Sequence, residues 1–370
     1  MYDVFVASAS DYNQAEIDAA VEYILRGCSI DKLVTSKSKV VLKPNLLIKV
    51  KPERAVTTHP AVVLAAIKAL KSRGVQNIIV ADGSSGLFTE SRMNGIYSAC
   101  GLTPLSEYGA VLNRDLSSTV CATKIEANPS FDILNVIKDA DLVIGIAKLK
   151  THSLTGVSAA VKNYYGAIPG LKKAELHFKY REKDDFGGML CDLYEFLKPG
   201  ISLIDAVIGM EGNGPSGGSP RKFGFVAGGQ NAHYLDRAMC HMLGIDPRDA
   251  LTVDTAINRG LAPKNAGDIN IKGDVALFEN PIKDIVMPSS FIKHTTMLPR
   301  FLRPAAGKIV NHLEPLPKVR KKDCTGCGMC AETCAANAIG IDTTAYIDDK
   351  KCIRCFCCHE VCPYLAIDIK

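Results

Sequence analysis

Between Cys324 and Lys370 the chain repeats itself at a 28-residue offset, with CTGCGMCAETCAANAIGID set against CIRCFCCHEVCPYLAIDIK. Both halves read C-x2-C-x2-C-x3-C, and the Ala-Ile and Ile-Asp pairs recur with them. So many thiols in so short a stretch leave little room for an apolar core, so a bound metal group has to organise this end. A tight loop with three cysteines brings three sulfurs to one centre, and the next helical turn points the fourth elsewhere. Nine of the 14 cysteines follow position 323; the other five, Cys28, Cys100, Cys121, Cys191 and Cys240, are scattered and read as small buried hydrophobes. A secreted disulfide framework spreads its cysteines more evenly. Zinc prefers paired ligands in tetrahedral sets, which x2-x2 triplets do not supply.

The spacing resembles that of bacterial two-cluster ferredoxins, in which three close cysteines grip one cubane and the fourth reaches across to the other. The resemblance implies one [4Fe–4S] cluster on Cys324, Cys327, Cys330 and Cys362, and a second on Cys352, Cys355, Cys358 and Cys334. Pro363 follows the last ligand as the pattern expects, while Ala335 stands at the matching place in the first half. Cys357 is surplus, because using it would break the register kept by Cys355 and Cys358. It reads as packing beside a cluster, where it tunes polarity, or as a substitute ligand after oxidative damage.

Residues 1–280 alternate short apolar runs with helical patterns. KVVLKPNLLI (39–48), QNIIVADG (76–83), DADLVIGIAKLKTH (139–152), GISLIDAVIGMEG (200–212) and KFGFVAGG (222–229) read as strands. PAVVLAAIKALKSRG (60–74) reads as a helix capped by Thr57 or Thr58, and NAHYLDRAMCHMLGI (231–245) as another. The expected fold class is therefore α/β, a mostly parallel sheet covered by helices, followed by a small C-terminal α+β two-cluster ferredoxin domain at 323–370. Residues 281–322 hold six prolines, and from Lys293 to Lys322 eight Lys or Arg face one acid, Glu314. This stretch reads as a basic connector with a short helix at AAGKIVNHL; a basic membrane contact is the competing reading.

KPN (43–45), TTHP (57–60), ADGSSG (81–86), KLKTH (148–152), VKN (161–163) and GMEGNGP (209–215) fall where strands end. In this order before a two-cluster tail, they resemble the family catalogued as domain of unknown function 362, over roughly residues 38–260. The resemblance implies a cytoplasmic iron–sulfur protein and assigns the front domain no agreed chemistry.

In open parallel sheets, ligands bind beyond the carboxyl ends of the strands. That rule gathers Lys43, Asn45, His59, Asp82, Lys148, Lys150, Asn163 and Glu211 on one rim as candidate substrate contacts, with His152 and Lys162 as candidate proton donors. From Lys148 to Lys183 there are seven Lys and one Arg against Glu175 and Glu182, which favours an anion. Each residue also has a plainer reading: a lysine stem packed at a strand end, Asn45 or Asp82 pinning a turn, His59 at a helix entry. His177, inside KKAELHFKYREKDD, reads as part of a solvated face or a lid. The glycine-rich 209–220 loop matches neither G-x-G-x-x-G nor the P-loop pattern, so a bound flavin or other small molecule there competes with a surface loop.

The leading function is an iron–sulfur oxidoreductase. A low-potential donor protein passes single electrons through two [4Fe–4S] clusters to an anionic substrate or bound cofactor in the α/β domain. A dedicated electron carrier that docks a partner enzyme is the second reading, and a non-redox protein with structural or sensing clusters the third. The formal charge of +5 falls to about +1 once each oxidised cubane contributes roughly two negative charges, which argues against nucleic acid. The longest apolar runs are too short to span a bilayer, and the N-terminus has no signal-peptide pattern, so a cytoplasmic setting is expected.

Overall fold

The computed structural model describes residues 2–290 and 315–370. Its centre is a nine-stranded sheet built from β1 (Asp3–Ser8), β2 (Lys39–Pro44), β3 (Asn77–Val80), β4 (Ala110–Leu112), β7 (Leu142–His152), β8 (Gly156–Ser158), β9 (Ile201–Glu211), β10 (Ser219–Gly229) and β11 (Asn270–Gly273). The hairpin of β5 (Ser118–Ile125) and β6 (Asn128–Leu134) stands apart from it. The order is β11-β1-β10-β9-β7-β2-β3-β4, with β8 folded back on β7. From β9 to β4 every neighbour is parallel, while β10 runs antiparallel to both β9 and β1. The expected α/β class holds. The central strands are apolar almost without interruption (VVL in β2, LVIGIA in β7) because helices cover both of their faces.

Strand alternation divides the core in two. Val40, Leu42, Leu142, Ile144 and Ile146 face the helices Gln14–Gly27 and Pro60–Lys71, which contribute Ile17, Val21, Ile24, Val62, Ala66 and Leu70. Asn13 caps the first of these helices, its side chain accepting from the backbone of Ala15 and Glu16. His59, not Thr57 or Thr58, caps the second, its Nδ1 accepting from Ala61 N at 3.2 Å. Val41, on the opposite face, packs with Tyr165, Phe186, Met189 and Leu190.

In the tail, β12 (Pro317–Val319) pairs with β15 (Ile367–Ile369), and β13 (Ile339–Ile341) with β14 (Ala345–Ile347). Two short helices, Met329–Glu332 and Cys357–Val361, follow the first and second cysteine loops. β12 falls inside the stretch read as a connector and belongs to the tail's own sheet. The expected helix at AAGKIVNHL lies outside the described residues. Phe356 and Ile369 of the tail sit in the same apolar cluster as Val41, Tyr165 and Phe186, so the tail shares a core with the sheet domain.

Candidate functional site

A cavity of about 630 Å³ opens where the tail meets the carboxyl ends of β2, β3 and β7. Asn45, Asp82, Lys150, Lys162, Asn163, Lys173 and His177 line it from the sheet side, and Thr333, Cys357, Glu360 and Val361 from the tail. The size suits a small molecule.

Lys43, 0% exposed, forms its floor, with Nζ 2.6 Å from Asp82 Oδ1. Asp82 Oδ2 accepts from Leu46 N at 2.7 Å, which fixes the bend that follows β2. Burial lowers the pKa of Lys43, and Asp82 opposes that shift. A Cβ added at Gly166 would fall 2.0 Å from Asp82 Oδ1, so the close approach there requires glycine. Asn163 donates to Lys43 O at 3.1 Å. Asp236 accepts from Ala160 N at 2.7 Å and Val161 N at 3.0 Å, anchoring the short helix that carries Lys162 and Asn163. Burial raises the Asp236 carboxyl to about 7, against those two backbone bonds.

Lys150 donates to Asn45 Oδ1 at 2.7 Å and to Val56 O at 2.8 Å. Burial, with help from Lys162, pushes its ammonium down to about 7. Lys173 donates to Ile168 O at 2.7 Å and Ser84 O at 3.1 Å, and burial brings it to about 7 as well. Lys162 differs from both. Its Nζ stands 5.8 Å from the Tyr165 ring centre and has no hydrogen-bond or ion-pair partner among the described residues.

His152 Nδ1 accepts from Leu154 N at 3.1 Å, so Nε2 carries the proton and faces Glu360 Oε1 at 3.1 Å. Burial holds this imidazole down at about 4, and it is therefore neutral. Burial alone would raise the Glu360 carboxyl; His152, Lys162 and His177 outweigh it and hold Glu360 below its ordinary value. His177 stacks on Phe186 with ring centres 4.3 Å apart, and burial lowers it to about 3. The expected solvated face is thus a cavity wall: Lys173, Ala174 and His177 form the inward side of the helix Lys172–Lys179.

The rim expected from the sequence splits into separate places. Lys148 follows Ile144 and Ile146 to the other face of the sheet. There it donates to Asp205 Oδ2 at 2.8 Å and to Tyr12 Oη at 2.7 Å. Tyr12 stacks on His59 with ring centres 3.5 Å apart, and Asp205 accepts from His59 N at 2.9 Å. Glu211 pairs with Arg221 at 2.8 Å, away from the cavity. Lys173, His177, Tyr165, Cys357 and Glu360 were not among the candidates and do line the cavity.

The glycine-rich 209–220 loop has a different role from either one expected of it. Thr151 Oγ1 donates to Gly212 O at 2.8 Å, and Ser153 Oγ donates to Gly214 O at 2.7 Å. On the tail side, Ser216 Oγ donates to His359 O at 3.2 Å, and His359 Nε2 lies 3.0 Å from Asn213 O. The loop joins the two parts, and Pro215 closes one side of the cavity. A Cβ at Gly217 would come within 2.6 Å of the His359 ring. Gly217→Val is expected to loosen the tail by about 1–3 kcal/mol, seen as faster proteolytic release of the tail. Cleavage at the wild-type rate would show that the loop does not hold it.

Cys324, Cys327, Cys330 and Cys362 line a second hollow, of about 340 Å³, near the tail's surface. The thiols acting on Cys330 are Cys362 and Cys327, and those acting on Cys352 are Cys355 and Cys334. Backbone N–H groups of Ala338, Ala345 and Ala366 point at the sulfurs of Cys334, Cys324 and Cys362, at 3.3, 3.4 and 3.2 Å. Such donors stabilise thiolates. Among the described residues no three His, Cys, Asp or Glu side chains close on a single point as one metal ion needs. An all-sulfur donor set around a hollow fits a polynuclear group better than a lone ion, and the tail is compatible with an iron–sulfur protein. Cys357 turns away from these sets into the cavity wall.

Three comparisons bear on this arrangement. The family described as "Domain of unknown function (DUF362)" matches residues 40–241. A thylakoid-associated protein of Synechocystis sp. is 27% identical over 305 residues, covering 81% of this chain and 92% of that protein. The lactate racemase apoprotein of Thermoanaerobacterium thermosaccharolyticum has a TM-score of 0.37 at 14% identity, over 54% of this chain and 50% of that one. A likeness that distant carries no argument. No helix among the described residues is long and apolar enough to cross a membrane.

Proposed function

We propose, for a chain that belongs to the family described as a domain of unknown function (DUF362), that it reduces a small anionic substrate or bound cofactor held between sheet and tail. The electrons come one at a time from a low-potential donor protein. One observation supports this above the others: the cavity wall is shared. Lys150, Lys162 and Lys173 stand on one side, and Cys357 and Glu360 on the helix that also carries Cys358 stand on the other. A ligand there touches the element that holds part of the inner thiol set.

Cysteines 324, 327, 330 and 362 would hold one [4Fe–4S] cluster and cysteines 352, 355, 358 and 334 the other. When bound, the two supply one-electron carriers that together can deliver the electron pair a double bond or carbonyl needs. The chain's own residues do the rest. Lys150 and Lys173 draw the anion in and hold it, and Asn45 and Asn163 orient it. Lys162 Nζ, with all of its N–H groups uncommitted, gives a proton to the reduced centre. Tyr165 and Val361 keep bulk water from the reacting face. A flavin, if one is bound, would occupy this cavity and not the 209–220 loop.

Anaerobically prepared protein is expected to bind about eight irons and to absorb broadly near about 400 nm, with the ligand oxidising the reduced form. Iron near about four, or zinc instead, overturns the ligand assignment; reduced protein that no cavity ligand reoxidises overturns the reductase reading. The cytoplasmic setting belongs to the proposal too. The relative's name makes membrane association worth testing by fractionation.

A further inference from the structure

The charges around the cavity do not balance. Lys43, Lys150, Lys162 and Lys173 meet two carboxylates, Asp82 and Glu360. Lys43 is closed on Asp82, and Glu360 is the main counter-charge acting on Lys162. Lys150 and Lys173 are left over. They are 2% and 8% exposed, and neither touches a carboxylate. Their hydrogen-bond partners are neutral oxygens, those of Asn45 and Val56 for one, of Ile168 and Ser84 for the other.

An ammonium has three N–H groups. Each of these lysines commits two and keeps one, and both line the cavity. The other charges acting on Lys150 are Lys162, Glu360, Lys148 and Asp82; those on Lys173 are Asp82, Lys43, Lys162 and Glu360. Lys148 is itself closed on Asp205, and His152 and His177 are neutral. No cysteine is among the charges acting on either lysine, so the thiol sets do not cancel the excess. Burying an uncompensated ammonium is costly unless a partner arrives with a ligand.

We infer that the cavity takes a dianion, a dicarboxylate or a phosphate monoester, whose oxygens accept the free N–H groups of Lys150, Lys162 and Lys173. This refines the substrate class of the proposed site and rests on that cavity, not on electron transfer. The two leftover lysines match two negative charges, and a mono-anion would leave one of them unpaired. The consequence is a coupling to protons. Without a ligand, burial holds Lys150 and Lys173 at about 7. A bound dianion favours their charged forms, so above that pH binding takes up protons, approaching two, and below it almost none. Affinity therefore falls by up to about 100-fold per pH unit above the lysine pKa values.

The test is calorimetric titration of anaerobic holoprotein with succinate, phenyl phosphate and propionate, in paired buffers of different ionisation heat. At about pH 8.5 we expect one of the two dianions to bind at least ~10-fold tighter than propionate, with uptake of more than one proton. Succinate or phenyl phosphate as the tighter ligand identifies the anionic group. Propionate binding as well as both dianions, or uptake below one proton, overturns the inference. Lys173→Met should lower the uptake by about one proton. If that variant does not fold, the wild-type pH series decides alone. A dianion that binds but is never reduced leaves this inference standing and removes the reductase reading. Reduction of a mono-anion at this site does the reverse.

Discussion

Lys162→Met is expected to keep the wild-type iron content while cutting turnover by about 10²–10⁴-fold. The ammonium of Lys162 faces the cavity with no protein partner among the described residues, so its removal leaves no orphaned acceptor in the fold. Burial lowers its pKa, against Glu360, which brings it closer to the range where a proton is easily given up. Methionine keeps the length of the stem and its packing against Tyr165. The effect should therefore fall on turnover while the melting temperature and the ligand's own Kd change little. Lys162→Arg restores charge without a usable proton and should not restore the rate. If Lys162→Met turns over normally, the proton comes from elsewhere.

Asp82→Ala should destabilise the protein by about 3–5 kcal/mol, because it strands Lys43 with no counter-charge at 0% exposure. The bend after β2 would also lose the acceptor for Leu46 N. Denaturant unfolding measures this directly. The double variant Lys43→Met with Asp82→Leu should recover most of the loss, since a buried ion pair replaced by matched apolar groups is often neutral. A loss under about 1 kcal/mol in the single variant would mean that Lys43 sheds its proton and remains buried without penalty.

The tail was the most readable part of the chain, because cysteine spacing is a local property and needs no knowledge of tertiary contacts. The α/β class followed from alternating strand and helix patterns for the same reason. The site was only half visible. Asn45, Asp82, Lys150, Lys162 and Asn163 were reached by asking which polar residues end strands. Lys43 and Lys148 look equivalent by that rule, yet residue parity along β2 and β7 sends them to opposite faces of the sheet. His177 was hidden by its charged neighbours, although reading the segment at helical period puts Lys173, Ala174 and His177 on one side. Asp205 did leave a signal, an acid inside the apolar run ISLIDAVIG. Glu360 and Cys357 lay within a stretch already explained by metal binding. Only the docking of the tail reveals that both also face a cavity.

The core shared by Phe356, Ile369 and the sheet has a bearing on how the protein matures. Cys358 is 8% exposed and Cys357 6%, beneath a helix pressed against the sheet domain. On the proposed ligand assignment, iron and sulfide have to reach the inner thiols before that helix seats. Chains that close first would be stored as empty, stably folded protein. Recovering them would take partial opening of the junction, not merely added iron, so the order of events during biogenesis would decide how much of the protein is active.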